Sequence, residues 1–366
     1  MDYKKLKGTP LLEELCLTFG PSGCEDRVAE KILAVTEGSY DERIRDNASS
    51  VILKINKRRE PANGAKTPER LLLSAHMDEV GFIVSHITEQ GYIKPLFLSG
   101  SDTRVWRARS VVVGNENGQI KGYMGTKPIH MIKRDERGKA LPADEMYVDI
   151  GAADKEDAEK HVSVGDFGTW DSDFIRFGQD GRMLKGKAID DRLGCTVMCD
   201  LVRDVWEIRD SLTFDVYFAF TCKEELGLSG ARCAAYKVDP DYALIFESTA
   251  IADMDGVPEK SRVARQGDGG ALSIADRATM YNMEFTGFIM KTAEDKKIPC
   301  QYKKFVSGGN DAGSIHKIRE GVRCAALSAP ARYIHTASNV VRESDFFAIH
   351  DLALEVIKEI SKGGIK

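Results

Sequence analysis

The chain has 366 residues, of which 42% are hydrophobic and 30% are charged, so it can bury the core of one large domain or two. Its 52 basic and 57 acidic residues give a net charge of −5, which argues against nucleic acid or an anionic membrane surface as a partner. The longest apolar runs are far shorter than the about 20 residues that a membrane-spanning helix requires.

The eight cysteines are scattered along the chain without a Cys-x-x-Cys pair, and the first residues are polar. Free cysteines in apolar stretches act as small core residues, whereas a nucleophilic thiol would need a neighbouring base. This pattern predicts a protein of the reducing cytoplasm whose cysteines are structural.

The first part of the chain predicts two amphipathic helices over residues 10–37. Extended segments follow at 43–45 and 50–57. The polar stretch 58–69, rich in proline and glycine, predicts a loop. The apolar run 71–75 then predicts a buried strand.

Between residues 80 and 164, short β-type runs alternate with turns that contain glycine. The Asn117-Gly118 pair between apolar residues is typical of a hairpin, and only residues 155–160 have a helical pattern. We therefore predict a small β-barrel-like domain at 80–164. It interrupts one discontinuous α/β domain that comprises residues 1–79 and 165–366.

After residue 165, strands and helices alternate again. Helical patterns occur at 192–206, 229–237 and 344–362, and strand patterns occur at 212–220 and 241–247. This alternation predicts an α/β/α sandwich around a mixed, mainly parallel sheet.

Histidines and acids follow several of the predicted strands directly. These residues are His76, Asp78, Glu224, Glu225, Glu247 and His335. Because ligands bind at the carboxyl ends of the strands in an open α/β sheet, we expect these side chains to share one rim. Asp190, just before the predicted helix at 192–206, is a candidate for the same rim.

Each of these residues alone has an ordinary structural interpretation. His76 could be a hydrogen-bonded core residue, Asp190 a helix cap, and the Glu224-Glu225 pair part of a solvated loop. Together they provide two imidazoles and several carboxylates. That mixture suits Zn²⁺, Co²⁺ or Mn²⁺ better than Ca²⁺.

The chemistry of these groups suggests distinct roles. On an extended strand His76 and Asp78 point the same way, so Asp78 can orient the imidazole. Adjacent Glu224 and Glu225 diverge, so one can bind metal while the other accepts a proton. Asp190 can reach two ions with its two oxygens. The remaining histidines are predicted to be structural or exposed: His86, His130, His161, His316 and His350.

The chain resembles the tetrahedral (TET) aminopeptidases, which are metallopeptidases with two metal ions and a zinc-aminopeptidase-like fold. The resemblance covers nearly the whole length and rests on several motifs that occur in the same order. They are HMDEVGF at 76–82, KAIDDR at 187–192, EELG at 224–227 and RYIH at 332–335, with KPIH at 127–130 and DIGA at 149–152 in the insert.

The resemblance implies a role for each candidate residue. His76 and Glu247 would bind one metal, Glu225 and His335 would bind the other, and Asp190 would bridge the two. Glu224 would be the general base, and Asp78 would orient His76. The insert would form dimers that build a twelve-subunit tetrahedral cage.

Three positions depart from the family pattern. Glu247 stands where Asp is more frequent, which makes that ligand one methylene longer. Lys223 replaces a common Gln, and Asn310 replaces the usual Thr. The last two changes leave the ligand set intact and are expected to alter substrate contacts.

We therefore predict a cytoplasmic, homo-oligomeric aminopeptidase that removes N-terminal residues from short peptides. Two divalent ions, Zn²⁺ or Co²⁺ with Mn²⁺ as an alternative, would activate water, and Glu224 would be the base. Two other interpretations stay open: a hydrolase of another amide or of a glycosidic substrate on the same scaffold, and a non-catalytic assembly protein. From spacing alone, the insert could equally be a lid or a substrate domain.

Overall fold

The computed structural model describes residues 3–62, 67–135, 138–306 and 308–365, so residues 63–66 of the predicted loop at 58–69 lie outside it. The described helices are α1 Thr9–Leu17, α2 Asp26–Thr36, α3 Thr103–Trp106, α4 Lys155–Glu159, α5 Ile189–Glu207, α6 Ser229–Val238, α7 Met283–Lys296, α8 Ala312–Ile315 and α9 Glu343–Ser361.

The described strands fall into an N-terminal, a middle and a C-terminal set. They are β1 Glu42–Arg45, β2 Val51–Ile55, β3 Arg70–His76, β4 Phe82–Ile87, β5 Ile93–Phe97, β6 Ser110–Gly114, β7 Gln119–Met124, β8 Val148–Asp149, β9 Phe167–Trp170, β10 Ile175–Phe177, β11 Met183–Gly186, β12 Asp215–Thr221, β13 Tyr242–Ala250, β14 Gly270–Leu272, β15 Cys300–Tyr302, β16 Arg323–Arg332 and β17 Asn339–Arg342.

Eleven of the described strands form one mixed sheet. Its order is β1-β2-β12-β3-β13-β16-β17-β11-β10, and β14 joins it at β16 and carries β15. The four central strands β12, β3, β13 and β16 are parallel, whereas the strands at both edges of the order are antiparallel. The carboxyl ends of the central strands therefore meet at one rim.

Side chains alternate along each buried strand, so both faces of this sheet carry apolar side chains, and helices cover both faces. Leu71 and Leu73 of β3 pack into the larger apolar core, which includes residues of α1, α2, α5, α7 and α9. Leu72 faces the other way and packs with alanines of α6 and α8. This arrangement confirms the predicted α/β/α layers.

Six strands, β4, β5, β8, β7, β6 and β9, close into a separate barrel that interrupts the large sheet between β3 and β10. Its interior is aromatic: Trp106 stacks on Trp170 with ring centres 4.0 Å apart, and Phe82 meets Trp106 edge-on at 5.7 Å. The predicted Asn117-Gly118 hairpin is present between β6 and β7. The α/β fold with a barrel-like insert is therefore confirmed, and the barrel's last strand, β9, lies beyond residue 164.

The segment between β13 and β16 contains elements that the sequence analysis did not predict. Helix α7 buries Phe285, Ile289 and Ala293 at helical spacing, and Asn282 caps it by accepting a hydrogen bond from the Phe285 N–H at 2.8 Å. The apolar spacing and the Asn cap are both visible in the sequence and would have predicted this helix. Strands β14 and β15 have three residues each and are too short for a periodic pattern. None of the described helices combines the length and the apolar character that crossing a membrane would require.

Candidate metal centre

The predicted site residues lie together at the carboxyl rim of the central strands. His76 is the last residue of β3, and its register partner on β12 is Thr221, shortly before Glu224 and Glu225. Glu247 lies in the second half of β13, and His335 follows β16. Asp190 lies at the start of α5, where its backbone angles are not helical.

One group of potential ligand atoms comprises His76, Asp190 and Glu247. The His76 Nε2 lies 3.5 Å from the Asp190 Oδ1 and 3.8 Å from the Glu247 Oε1. All three side chains are buried, and their ligand atoms lie within 4.8 Å of one another.

A second group comprises Asp190, Glu225 and His335. The His335 Nε2 lies 3.5 Å from the Asp190 Oδ2 and 3.3 Å from the Glu225 Oε1. Asp190 therefore belongs to both groups and turns one oxygen toward each histidine. The structure brings together all five residues that the sequence analysis proposed as metal ligands.

The spacing of these atoms fits two small divalent ions. Ligand bonds of 2.0–2.2 Å at tetrahedral angles separate the ligand atoms by about 3.3–3.6 Å, which is close to the distances within each group. The buried Asp190 Oδ1 has no hydrogen-bond partner in the described part of the chain. A metal ion would satisfy this oxygen, which otherwise stays desolvated at a free-energy cost.

The electrostatics of the site also favour cations. Burial raises the pKa of Glu225 to about 7 and raises the pKa of Glu247 well above its usual range. Burial lowers the pKa of His335, but the neighbouring Asp190 and Glu225 outweigh that effect and raise it to about 9. Clustered buried carboxylates repel one another, so positive charge placed between them relieves the repulsion.

Glu224 lies beside these groups without belonging to either one. Its side chain lines the same cleft as His76, Asp190 and Glu247. Burial raises its pKa well above the usual range, although the positive charge of His76 acts in the opposite direction. The two adjacent glutamates therefore differ in position, since Glu225 falls within a potential ligand group and Glu224 does not.

Asp78 contacts more of the site than the sequence analysis expected. The His76 Nδ1 lies 3.0 Å from the backbone carbonyl of Asp78 and 3.4 Å from its carboxylate, so the carbonyl is the nearer partner. The carboxylate accepts hydrogen bonds from the backbone N–H groups of Glu224 and Glu225 at 3.0 and 3.1 Å, and from the Ser22 hydroxyl at 2.6 Å. Asp78 thus joins the end of β3 to the loop that carries both glutamates.

The backbone near the site contains unusual conformations. His335, Tyr333 and Lys223 have φ values of 57°, 58° and 56°, in the left-handed region that L residues rarely adopt. Such outliers cluster at functional sites, where surrounding contacts hold them in place.

The cleft above the two groups has a volume of about 220 Å³. Besides the metal-ligand candidates, it is lined by Asp276, Lys303 and Asn310. The sequence analysis names Asn310, whereas Asp276 and Lys303 belong to no recognised motif and lie in irregular segments. Clefts of about 620 and 1010 Å³ elsewhere contain neither of the two ligand groups found among the described residues.

Comparison with known proteins gives consistent results. A protein-family model described as M42 glutamyl aminopeptidase matches residues 60–352. A lysyl aminopeptidase of Pyrococcus furiosus is 25% identical over 356 residues, which are 96% of each chain.

Two solved structures have the same fold over almost their whole length. A TET aminopeptidase from a marine sediment archaeon, Thaumarchaeota archaeon SCGC AB-539-E09, has a TM-score of 0.88 and 34% identity over 96% of this chain and 97% of that one. The TET1 peptidase of Pyrococcus horikoshii has a TM-score of 0.83 and 26% identity over 95% and 98%, and it is described as assembling into a tetrahedron or a large octahedral shell.

Proposed function

The chain belongs to the M42 glutamyl aminopeptidase family of metal-dependent aminopeptidases, and from this premise we propose that it removes N-terminal residues from short peptides with two divalent ions. The observation that carries the proposal is Asp190. Its two carboxylate oxygens face His76 and His335 at 3.5 Å each, which is the arrangement a bridging ligand requires.

The ligand types narrow the choice of metal. His76 and Glu247 would hold one ion, Glu225 and His335 the other, and Asp190 would be shared. Imidazole with carboxylate ligands suits Zn²⁺ or Co²⁺, and Mn²⁺ is an alternative. Such ions, when bound, activate water and polarise the peptide carbonyl.

Glu224 would act as the general base. Its carboxylate would accept the proton of the attacking water and then deliver it to the leaving amine. Two features support this role: Glu224 lines the cleft beside the ligand groups, and its backbone is anchored to Asp78 by the hydrogen bond of 3.0 Å.

We further propose that the barrel, predicted at 80–164 and completed by β9, is the dimerisation domain, with 1–79 and the rest of 165–366 forming the catalytic domain. Large apolar side chains exposed on the barrel support this role: Leu96, Tyr123, Ile129 and Met131 are 58–69% exposed. The assembly of the Pyrococcus horikoshii relative into shells supports a homo-oligomer.

The Glu224→Gln substitution tests the proposed reaction. The amide keeps the shape of the side chain but cannot accept the proton, so kcat on an aminoacyl p-nitroanilide should fall by about 10²- to 10⁴-fold. Bound metal, measured by elemental analysis, should stay at the wild-type level because Glu224 is outside both ligand groups. Near-normal turnover in this variant would remove the base assignment. Wild-type activity that survives complete chelation would instead favour a metal-independent hydrolase.

A further inference from the structure

The loop that carries the proposed base is held by three successive backbone N–H groups, those of Lys223, Glu224 and Glu225. The second and third donate to the Asp78 carboxylate at 3.0 and 3.1 Å. The first donates to the Oε1 of Glu25 at 3.0 Å. Glu25 is therefore the second acceptor on which this loop depends, and it belongs to neither ligand group.

Glu25 occupies a fixed position beside the rim of the sheet. It lies at the N-cap of α2, it is only 5% exposed, and its Oε1 also accepts a hydrogen bond from the Gly23 N–H at 2.9 Å. The turn before it is tied to the segment after β3. There the Ser22 N–H donates to the Glu79 carbonyl at 3.3 Å, and the Glu79 N–H donates to the Gly20 carbonyl at 3.1 Å. Glu25 can therefore act as a rigid anchor for the loop that faces it.

The backbone of Lys223 requires such an anchor. Its φ of 56° lies in the left-handed region, which L residues rarely adopt and keep only where surrounding contacts hold them. Its Nζ donates to the Ala48 carbonyl at 3.1 Å, so the side chain also holds the loop. Because Glu224 follows directly, the orientation of Lys223 determines where the Glu224 side chain enters the cleft.

We propose that Glu25 is a positioning residue for the general base: its carboxyl oxygen fixes the Lys223 N–H and so keeps the Glu224 carboxylate within reach of the proton it must accept. The inference rests on the proposed function and on the assignment of Glu224 as the base. Glu25 is not among the described residues that line the cleft, so it acts through the loop and not on the substrate. A displacement of about 1 Å in a catalytic site can cost about 10²-fold in rate.

This role depends on the reach of the side chain more than on its charge. Burial and the nearby Asp78 carboxylate raise the pKa of Glu25 to about 7. A carboxyl group that has taken up a proton still has a carbonyl oxygen that accepts hydrogen bonds. A neutral side chain of equal length should therefore replace Glu25, whereas a charged side chain that is one methylene shorter should not.

The test measures kcat and KM of the full-length, metal-saturated enzyme on the aminoacyl p-nitroanilide that the wild type hydrolyses fastest. Glu25→Gln should keep at least about half of the wild-type kcat, because its amide oxygen can accept the same hydrogen bonds. Glu25→Asp should lower kcat by at least about tenfold and change KM less than about threefold. Aspartate is a favoured N-cap residue, so this variant should fold. Glu30→Ala, an exposed change on the same helix, is the matched control and should leave kcat unchanged.

A double mutant distinguishes positioning of the base from a general structural effect. If Glu25 acts through Glu224, Glu25→Asp should lower the residual kcat of Glu224→Gln by less than about twofold, since the base that it would misplace is already absent. Tenfold losses in both backgrounds would show that Glu25 acts on another group and would overturn the proposal. Bound metal, measured by elemental analysis, should stay at the wild-type level in Glu25→Asp. A loss of metal that matches the loss of kcat would place the effect on the Glu225 ligand and also overturn it.

The remaining outcomes separate this inference from the proposed function. Peptide hydrolysis by the wild type, with an equal kcat in Glu25→Asp, defeats the inference alone. Near-normal turnover in Glu224→Gln removes the base assignment and the inference with it. If the wild type hydrolysed no aminoacyl substrate with any divalent ion, both the proposed function and the inference would be wrong.

Discussion

Asp78 illustrates how one buried side chain can organise a whole site. It is fully buried, and its carboxylate accepts from three donors: the Ser22 hydroxyl and the backbone N–H groups of Glu224 and Glu225. These contacts hold the pKa of Asp78 below its usual value in spite of the burial that raises it, with His76 as the strongest opposing partner. The residue thus keeps a negative charge that orients groups around it.

The Asp78→Asn substitution should therefore weaken metal binding. The amide keeps one acceptor oxygen but replaces the other by an NH₂ group that cannot accept, so the loop that carries Glu224 and Glu225 loses one of its two hydrogen bonds to this side chain. Removal of such supporting contacts lowers metal affinity by about 10- to 100-fold, which titration of the apoprotein with Zn²⁺ or Co²⁺ measures.

Ser22→Ala is the matched control for this change, because it removes one donor to Asp78 and leaves the carboxylate in place. Its effect on metal affinity should be the smaller of the two. Equal affinity of Asp78→Asn and the wild type would contradict the supporting role of Asp78.

The sequence predicted that the candidate ligand residues lie together, but it did not predict the contacts that support them. His76, Glu225 and Glu247 could be grouped because the carboxyl ends of parallel strands share one rim, irrespective of the conformations of the loops. The contacts of Asp78 with the 224–225 loop depend on a backbone path that has no periodic signal. Asp276 and Lys303 lie in irregular segments between short strands, so nothing in their spacing placed them in the cleft.

At the scale of the elements, a buried ion pair joins three parts of the fold. The Lys187 Nζ lies 2.5 and 2.7 Å from the two carboxylate oxygens of Glu79, and both side chains are at most 5% exposed. Glu79 also accepts a hydrogen bond from the Thr169 hydroxyl of β9 at 3.0 Å. The pair thus ties the segment after β3 and the start of α5 to the barrel.

Lys187→Met should destabilise the protein because it removes the cation nearest to the buried Glu79, whereas the Arg192 guanidinium, 3.8 Å from one carboxylate oxygen, stays in place. Breaking a buried pair from one side costs about 3–5 kcal/mol of unfolding free energy, and we expect the lower end because Thr169 still donates to Glu79. Denaturant unfolding measures the loss. The exposed Lys291–Asp295 pair is the control, since Lys291→Met should have a much smaller effect on the free energy of unfolding. Equal effects of the two substitutions would contradict this account.

Helix α9 is joined to a neighbouring loop through Asp345. Its buried carboxylate accepts hydrogen bonds from the backbone N–H groups of Gly267 and Gly269 at 2.8–3.0 Å. Burial raises the pKa of Asp345 to about 6 against the opposing effect of these N–H groups.

Asp345 should therefore make stability depend on pH. Because its folded pKa lies above the unfolded value of about 3.9, the folded state binds the proton more tightly. The resulting stabilisation is fully present below pH of about 3.9 and is lost as the pH rises toward about 6. In Asp345→Asn this component is absent. The stability of the wild type relative to the variant should thus decrease by about 2 kcal/mol between pH 4 and 6, and a constant difference would contradict the prediction.

The sequence predicted the helices and strands whose hydrophobic pattern extends over many residues. The central strands β3, β12 and β13 and the helices α5, α6 and α9 follow from apolar runs and helical spacing, because a buried sheet with helices on both faces imposes those patterns. Strands β14 and β15, with three residues each, are set by pairing with β16 and with each other, and such long-range contacts leave no mark on the local sequence. The sequence therefore predicted the central part of the sheet but not the short strands β14 and β15, the second of which ends just before Lys303.

At the scale of the whole molecule, the site concentrates negative charge inside the fold. Asp190 and Glu247 are buried beside each other, and the partly buried Glu225 and Glu224 add a third and a fourth carboxylate. Folding without cations must bring these groups together out of water, which opposes the stabilisation supplied by the surrounding core. Metal ions that bind the folded chain and not the unfolded one would offset this penalty.

Chelation should accordingly lower the melting temperature, and added Zn²⁺ or Co²⁺ should restore it. A single site contributes about 2.7 kcal/mol when free metal exceeds its Kd by 100-fold, so two sites give a shift that calorimetry resolves.

Asp190 makes the two sites interdependent, because it supplies one oxygen to each group. Asp190→Ala should therefore reduce the metal-induced shift by more than half, since both ions lose a ligand, whereas His335→Ala should weaken one group and leave the other intact. If neither chelator nor added metal changed the melting temperature, these clustered carboxylates would be stable without cations, and the proposed metal centre would have to be abandoned.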